Sequence, residues 1–186
     1  MGSKNALMSK LLFYDLETTG FDHNTNAIHQ IAGCIEIDGE VKEWFDFKCK
    51  PFNGAKVRSE ALAVSGVTFD QIMQYPEPKQ VFSNLVNTIF RHTHDKLTLV
   101  GFNNLSFDDR FLHRFFSRHK TTSGITQFSF GEMFHSDSHD VKRMSKMRGK
   151  LSEIASFYGI KVDPKELHNA TYDIYLTREI YKILMK

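Results

Sequence analysis

The pattern of hydrophobic and polar positions begins with three segments of strand character. Residues 11–16 form an apolar run of strand length, and residues 27–37 and 41–49 are rich in β-branched and alternating apolar side chains. Asp38 and Gly39 lie between the second and third segments, and this dipeptide favours a tight hairpin turn. The pattern therefore predicts an antiparallel meander of three strands.

The rest of the chain alternates helical spacing with short apolar runs. Five segments have apolar side chains at three- and four-residue intervals, which predicts helices: residues 79–91, 107–118, 137–147, 151–158 and 170–184. The run 97–102 follows the first of them, so a crossover can place it parallel to the first strand. Residues 125–134 give a weaker strand pattern. We expect an α/β fold with a five-stranded mixed sheet, an antiparallel meander plus two parallel strands, flanked by helices.

Composition fits a single folded domain. The 186 residues are 41% hydrophobic and 25% charged, which is usual for a soluble protein. No apolar run approaches the ~20 residues of a membrane span, and the first ten residues lack the apolar core of a secretory signal. We therefore expect a cytoplasmic protein with no membrane partner. Residues 1–10 are expected to be a flexible terminus or a cloning remnant, and residues 11–186 one domain.

The distribution of charge is more informative than its total. The net charge of +2 is too small to indicate a nucleic-acid partner, but residues 142–150 contain five basic residues and no acidic one. Lys142, Lys146 and Lys150 would share one face of a helix. This segment fits either a solvated surface or contact with phosphate groups, and the pattern alone leaves both open.

Two carboxylates at the end of the first predicted strand need a physical explanation. Side chains alternate along a strand, so Asp15 and Glu17 point the same way and extend the face that carries Phe13. Removing a carboxylate from water is costly, and two neighbouring carboxylates also repel each other. A bound cation would offset both the cost of burial and the repulsion.

Two further acids lie beside apolar patterns. Asp108 begins a predicted helix, where the helix dipole alone could explain it, and Asp173 lies near the start of the last helix, where a surface role is equally open. Asp109 has a structural explanation, because Ser106 and Asp109 have the spacing of a helix capping box. Together with Asp15 and Glu17, Asp108 and Asp173 form an all-oxygen donor set that suits Mg²⁺ or Mn²⁺.

Three motifs in order resemble those of the DEDDh family of 3′-to-5′ exonucleases. They are D-x-E-T-T-G at residues 15–20, N-x-x-F-D-x-x-F-L at residues 104–112 and H-x-A-x-x-D at residues 168–173, and an A-x-x-V-x-G-V-T pattern lies at residues 61–68. The resemblance implies a ribonuclease-H-like fold and hydrolysis of phosphodiester bonds from the 3′ end, releasing nucleoside 5′-monophosphates. It also implies that Asp15, Glu17, Asp108 and Asp173 hold two Mg²⁺ ions, for which Mn²⁺ can substitute, and that His168 is the general base.

The same resemblance suggests how substrate is held. It implies that six residues contact the nucleic acid: Leu16, Thr18, Thr19, Ser65, Asn104 and Phe107. Ser65 stands where the proofreading subunits of the family have histidine, and residues 101–104 read G-F-N-N; both features look more like exodeoxyribonuclease I.

These details favour single-stranded DNA over RNA. A ribonuclease T-like exoribonuclease and a non-catalytic nucleic-acid-binding module are the alternatives. Family members are often dimers, so a homodimer is also expected. Tyr14, Phe21, Phe107 and Tyr172 adjoin the motifs and could stack on bases. With 17 phenylalanines in the chain, core packing is the expected role of each.

Overall fold

A computed structural model describes residues 9–119 and 128–186, and within them the chain forms one five-stranded sheet. The strands are β1 (Lys10–Thr18), β2 (Ile28–Ile37), β3 (Glu40–Lys48), β4 (Thr98–Gly101) and β5 (His139–Asp140). Their order across the sheet is β3-β2-β1-β4-β5. β1, β2 and β3 pair antiparallel, whereas β4 pairs parallel with β1 and β5 pairs parallel with β4. The predicted mixed sheet is confirmed.

The hairpin between β2 and β3 turns at the predicted dipeptide. Asp38 and Gly39 have φ angles of 54° and 81°. Two consecutive left-handed residues define the turn type whose twist matches antiparallel strands, and Asp-Gly is one of the few dipeptides that adopt it at low cost. The meander is therefore encoded locally.

The predicted position of the fifth strand is wrong. Residues 130–133 form a short helix, and β5 begins at His139, five residues after the end of the predicted strand. Residues 125–127 of the predicted strand lie outside the described part of the chain. The predicted helix 137–147 is also too long, because Asp140 caps a helix that begins only at Val141, and Lys146 has a left-handed φ of 56°.

Helices cover both faces of the sheet. Within residues 9–119 and 128–186 they are α1 (Ser59–Val64), α2 (Phe69–Met73), α3 (Pro78–Phe90), α4 (Asp108–His119), α5 (Phe130–Met133), α6 (Val141–Met144), α7 (Leu151–Phe157) and α8 (Ala170–Leu184). A single 3₁₀ turn, Asn104–Ser106, precedes α4. None of the helices in these ranges has the length and apolar composition needed to cross a membrane.

The alternation of β1 divides the hydrophobic core into two layers. Leu12, Tyr14 and Leu16 pack with residues of α3 and α4, while Leu11 and Phe13 pack with residues of α7 and α8. Asp15 lies opposite Ala32 and Glu17 opposite Gln30, so both acids continue the second face. The predicted shared orientation of Asp15 and Glu17 is confirmed, and it directs them towards α8.

Candidate active site

A cavity of about 560 Å³ lies where the parallel strands β1 and β4 end. Ligands of open α/β sheets commonly bind beyond the carboxyl ends of parallel strands. The cavity is lined by all five residues predicted to act in catalysis: Asp15, Glu17, Asp108, His168 and Asp173. Residues that are far apart along the chain therefore meet at one position in the fold.

Each acid comes from an element that ends or begins at the cavity. Asp15 and Glu17 lie near the carboxyl end of strand β1. Asp108 is the first residue of α4, and Asp173 lies in the first turn of α8. The amino end of a helix has unpaired N–H groups and a partial positive charge, which favour a carboxylate there. Two helix amino ends and one strand end thus bring four carboxylates together.

Burial and mutual repulsion make this cluster costly when it is ionised. Burial, followed by the charges of Asp108, Glu17 and Asp173, raises the pKa of Asp15 well above its ordinary value. Burial raises the pKa of Asp108 to about 8 and that of Asp173 to about 6. The pKa of Glu17 is also raised by burial, although a hydrogen bond from Ser65 opposes the change.

The donor set fits hard divalent cations. Asp173 Oδ1 is buried and has no hydrogen-bond partner among the described residues, which leaves an oxygen free to bind a cation. In residues 9–119 and 128–186 no three His, Cys, Asp or Glu side chains are already close enough to enclose an ion. Mg²⁺ does not need such a cage, since it is usually held by one or two carboxylates with water and substrate oxygens completing its coordination.

His168 lies on the loop that leads into α8. Its φ angle of 67° is left-handed, which is uncommon for a residue with a side chain and recurs at functional sites. The next residue, Asn169, caps α8 by accepting a hydrogen bond from the Thr171 N–H. The cap fixes where the helix begins, and His168 is therefore held beside Asp173 with an exposed side chain that lines the cavity.

The six residues predicted to hold substrate are not equivalent in the structure. Leu16 and Phe107 line the cavity. The Thr18 hydroxyl donates to the Gly20 carbonyl, and the fully buried Thr19 hydroxyl donates to the Lys56 carbonyl. These two hydroxyls stabilise the turn after Glu17, and substrate contact by Thr18 and Thr19 stays a prediction.

Asn104 and Ser65 are also engaged within the protein. Asn104 is fully buried, and its Nδ2 donates to Asp109 Oδ1 at 3.0 Å. The Ser65 hydroxyl donates to Glu17 Oε2 at 2.6 Å. Their contact with substrate likewise stays a prediction. The partner of Ser65 is itself a predicted metal ligand, and the partner of Asn104 is the neighbour of another, Asp108.

The capping box predicted for Ser106 and Asp109 is not formed. The Asp109 carboxylate instead accepts hydrogen bonds from the Tyr14 hydroxyl and from Asn104, while the Ser106 hydroxyl accepts from Arg143. Tyr14 is the neighbour of Asp15, and Asp109 is the neighbour of Asp108. This contact therefore joins the strand and the helix that supply two of the acids.

Sequence reasoning missed part of the cavity wall. Lys142 and Lys150 both line the cavity, although residues 142–150 do not form the continuous helix on which the two lysines were expected to share a face. Phe102 lies beneath Lys142, whose Nζ is 5.6 Å from the centre of the ring. The cluster of basic residues in 142–150 was the available signal, and its position at the cavity favours the phosphate interpretation.

The expectation that Phe21 packs in the core is wrong. Its side chain is 74% exposed, and its ring lies 6.4 Å from that of Phe107, which lines the cavity. Phe21 follows the turn that ends in Gly20. An added Cβ at Gly20 would lie 2.5 Å from Asn26, so the close packing of this turn requires glycine.

Comparison with known proteins decides the family. The family model RNase_T, described as Exonuclease, matches residues 12–181 of the chain. The chain belongs to this exonuclease family. It is accordingly a hydrolase, a 3′-to-5′ exonuclease of the DnaQ-like type. Exonucleases of this kind use divalent metal ions, in agreement with the donor set.

The individual proteins that resemble this chain include two ribonucleases T by sequence and exonuclease I by fold. Ribonuclease T of Shewanella denitrificans is 26% identical over 180 residues, covering 90% of this chain and 76% of that protein. Ribonuclease T of Hahella chejuensis is 26% identical over 177 residues, covering 90% and 79%. The crystal structure of a zinc-bound E. coli exonuclease I complex with single-stranded DNA is similar in fold, with a TM-score of 0.73 and 22% identity. That match covers 94% of this chain and only 40% of the exonuclease I chain.

Proposed function

We propose that this exonuclease removes nucleotides from the 3′ end of a single strand, preferably DNA, by metal-assisted hydrolysis. The observation that carries the proposal is the convergence of Asp15, Glu17, Asp108, Asp173 and His168 on one cavity. Burial raises the pKa values of all four acids, and repulsion from neighbouring carboxylates adds to the rise for Asp15, Asp108 and Asp173, so a bound cation would stabilise the ionised cluster. The products are nucleoside 5′-monophosphates.

The four acids would hold two Mg²⁺ ions, with Mn²⁺ as a substitute. Such a pair of ions lowers the pKa of the attacking water and stabilises the leaving oxygen. The protein's own contribution is to keep the carboxylate oxygens of Asp15 and Asp108 out of bulk water. Away from water their charge interacts more strongly with a cation. The Oδ1 atom of Asp173, which has no hydrogen-bond partner within residues 9–119 and 128–186, supports the same role.

His168 is proposed as the general base. Imidazole is suited to this role because it titrates near neutral pH, and general-base assistance typically contributes ~10²–10⁴-fold. His168 lines the cavity with an exposed side chain, so it is able both to reach a water near the acids and to release the proton to solvent. Its left-handed backbone, held by the capped start of α8, supports a fixed position.

Two features of the cavity rim support a nucleic-acid strand as substrate. Lys142 and Lys150 place positive charge on the wall of the cavity that the acids also line, where they would contact phosphates. Phe21 and Phe107 form an accessible aromatic pair beside Leu16 and the turn that follows Glu17. Stacking of a base on an aromatic ring is worth ~1–3 kcal/mol and is available to every base.

The proposed preference for DNA over RNA is supported by Ser65 and by residues 101–104, where the sequence looks more like exodeoxyribonuclease I. The solved structures that resemble this chain include exonuclease I complexes with single-stranded DNA, whereas the relatives found by sequence include proteins named ribonuclease T. RNA is therefore the second candidate substrate. The Ser65 and Thr19 hydroxyls already have partners within the protein, so neither is a free donor for a ribose 2′-hydroxyl. A homodimer is also proposed from the family resemblance alone.

The proposal is tested by digestion of oligonucleotides labelled at the 5′ end, offered as single-stranded DNA, duplex DNA and RNA in Mg²⁺. We expect a ladder of shortened products from the wild type, none from Asp15→Asn, and unchanged digestion by Asp137→Asn, a matched change of an exposed acid. Digestion by Asp15→Asn at the wild-type rate would contradict the mechanism. A stable complex without shortening would instead support the binding module, and a tenfold preference for RNA would reverse the substrate assignment.

A further inference from the structure

One of the proposed metal ligands is held by a hydrogen-bonded pair that extends into the sheet. Glu17 Oε2 accepts a hydrogen bond from the Ser65 hydroxyl at 2.6 Å, and Ser65 Oγ lies 3.3 Å from His29 Nε2. His29 is 1% exposed and belongs to β2. None of the family motifs contains His29, and no role in the proposed reaction accounts for a histidine at this position.

Counting protons fixes the direction of both hydrogen bonds. A hydroxyl has one proton, and Ser65 uses it on the Glu17 carboxylate, which is able only to accept when it is ionised. The Ser65 oxygen must then be the acceptor from His29, so His29 Nε2 carries the proton. The remaining nitrogen, Nδ1, is buried and has no partner among the described residues, as expected for the unprotonated side of a neutral ring.

Placing a histidine at this position has a cost that packing does not explain. Burial and the charge of Lys48 lower the pKa of His29 to about 4, so the ring is neutral near pH 7. Ile28 and Ile31 of the same strand are buried, and an aliphatic side chain at position 29 would likewise fill the space without burying an unpaired nitrogen. The donor at Nε2 is what an aliphatic residue could not supply.

The strand register places His29 where it reaches Ser65. Glu17 pairs with Gln30 but Thr18 pairs with Ile28, so His29 is the unpaired residue of a β-bulge opposite the end of β1. Bulges commonly occur beside active sites, where they redirect a side chain. Here the bulge lies directly beside the proposed metal ligand.

We propose that His29 and Ser65 are positioning residues that hold Glu17 Oε2 and leave Oε1 directed to a divalent cation. The inference rests on the proposed function, because it concerns one ligand of that site. His29 Nε2–H orients the Ser65 hydroxyl, and the hydroxyl fixes the rotamer of the Glu17 side chain. Without the pair, Glu17 must lose rotamer freedom when it binds the ion, and affinity falls.

The test measures Mn²⁺ binding to chelator-treated full-length protein by titration calorimetry, which does not depend on activity. Three variants separate the steps: Ser65→Ala removes the hydroxyl, His29→Leu removes the donor, and His29→Gln retains an N–H at nearly the same place. We expect Ser65→Ala and His29→Leu each to weaken Mn²⁺ binding about tenfold, while His29→Gln stays within about threefold of the wild type. Ser83→Ala, which removes a distant hydroxyl bonded to the Lys79 carbonyl, serves as the matched control and should bind like the wild type.

A double variant gives the sharpest outcome. If His29 acts through Ser65, adding His29→Leu to Ser65→Ala causes no further loss of affinity, whereas independent effects would multiply. The melting temperature in chelator verifies that each variant is folded, and Ser65→Ala is conservative enough to supply the result alone. Wild-type affinity in both single variants, beside a wild type that binds Mn²⁺, would overturn this inference only. A wild type that binds no Mn²⁺ would contradict the proposed function as well.

Discussion

Replacing Asp108 by asparagine is predicted to stabilise the protein in the absence of metal while abolishing its activity. Asp108 is 6% exposed, and burial raises the pKa of its carboxyl to about 8 from an ordinary value of 3.8. An ionised Asp108 is therefore disfavoured by folding. Asparagine has nearly the same shape and removes the charge.

The size of the gain follows from the two pKa values. At 1.36 kcal/mol per pKa unit, the difference between about 8 and 3.8 corresponds to ~5–6 kcal/mol. Backbone N–H groups of Leu16 and of Asp108 itself favour the carboxylate, and an amide oxygen replaces that interaction only in part. We therefore expect about half of this value, ~2–3 kcal/mol, or ~5–10 °C in melting temperature for a chain of this size.

The stability that Asp108→Asn gains over the wild type should increase as pH rises. Below pH 3.8 both the folded and the unfolded wild type carry the proton, and the substitution gains nothing. Between 3.8 and about 8 the unfolded state releases the proton and the folded state retains it, so wild-type stability falls as pH rises. The advantage of Asp108→Asn grows through this interval and levels off above pH 8.

Thermal unfolding in chelator at pH 5, 7 and 9 measures the effect, with Asp109→Asn as the control on the same helix. Asp109 accepts hydrogen bonds from Tyr14 and Asn104, so its substitution should bring no gain. Added Mg²⁺ should raise the melting temperature of the wild type and not that of Asp108→Asn. A melting temperature of Asp108→Asn below that of the wild type at pH 9 in chelator would refute the reasoning.

Three other predictions concern the rim and the buried histidine. Phe21→Ala should leave the melting temperature unchanged, because the ring is 74% exposed, and should weaken binding of a labelled single strand about 5–100-fold in fluorescence anisotropy; equal affinity would exclude stacking. Replacing Lys142 and Lys150 together by alanine should lower the slope of log affinity against log salt by ~1.4 on the same strand; an unchanged slope would exclude phosphate contact. His29→Leu should reduce the loss of folding free energy at acid pH. The pKa of His29 is lowered to about 4 from 6.5, so as the pH falls between these values the unfolded state gains a proton that the folded state does not. The wild type therefore loses up to ~3 kcal/mol of folding stability over this interval. Denaturant titrations at pH 4 and 7 measure that difference, and an equal pH dependence in both proteins would contradict it.

Local signals were sufficient for much of the fold. The Asp38-Gly39 turn, the apolar run of β1 and the helical spacing of α3 and α4 each depend on residues close together in sequence. The same holds for the shared face of Asp15 and Glu17, since alternation along a strand needs no tertiary information. That Asp108, His168 and Asp173 would join them came from the motifs, because spacing along the chain does not specify which element ends meet.

The errors arose where tertiary contacts decide the structure. β5 has only two residues, and its place is set by pairing with Val100 and Gly101, which a sequence window does not contain. Asp109 had a good local explanation as a cap, yet the buried Tyr14 hydroxyl requires a partner and Asp109 supplies it. Phe21 was assigned to the core because phenylalanine is usually buried, yet its side chain is 74% exposed and lies beside Phe107.

The bulge in β2, opposite the end of β1, shows why His29 could not be recognised from the sequence. In an unbroken register Thr18 would pair with His29, and Ile28 would belong to the opposite face of the sheet. The one-residue shift lets Ile28 stay in the core layer of Leu16 while His29 is left unpaired beside Glu17. An isolated histidine within an apolar strand gives no sign of that shift. Its function becomes visible only when the register, the burial of the ring and the hydrogen bonds of Ser65 are known together, and these are properties of the folded sheet.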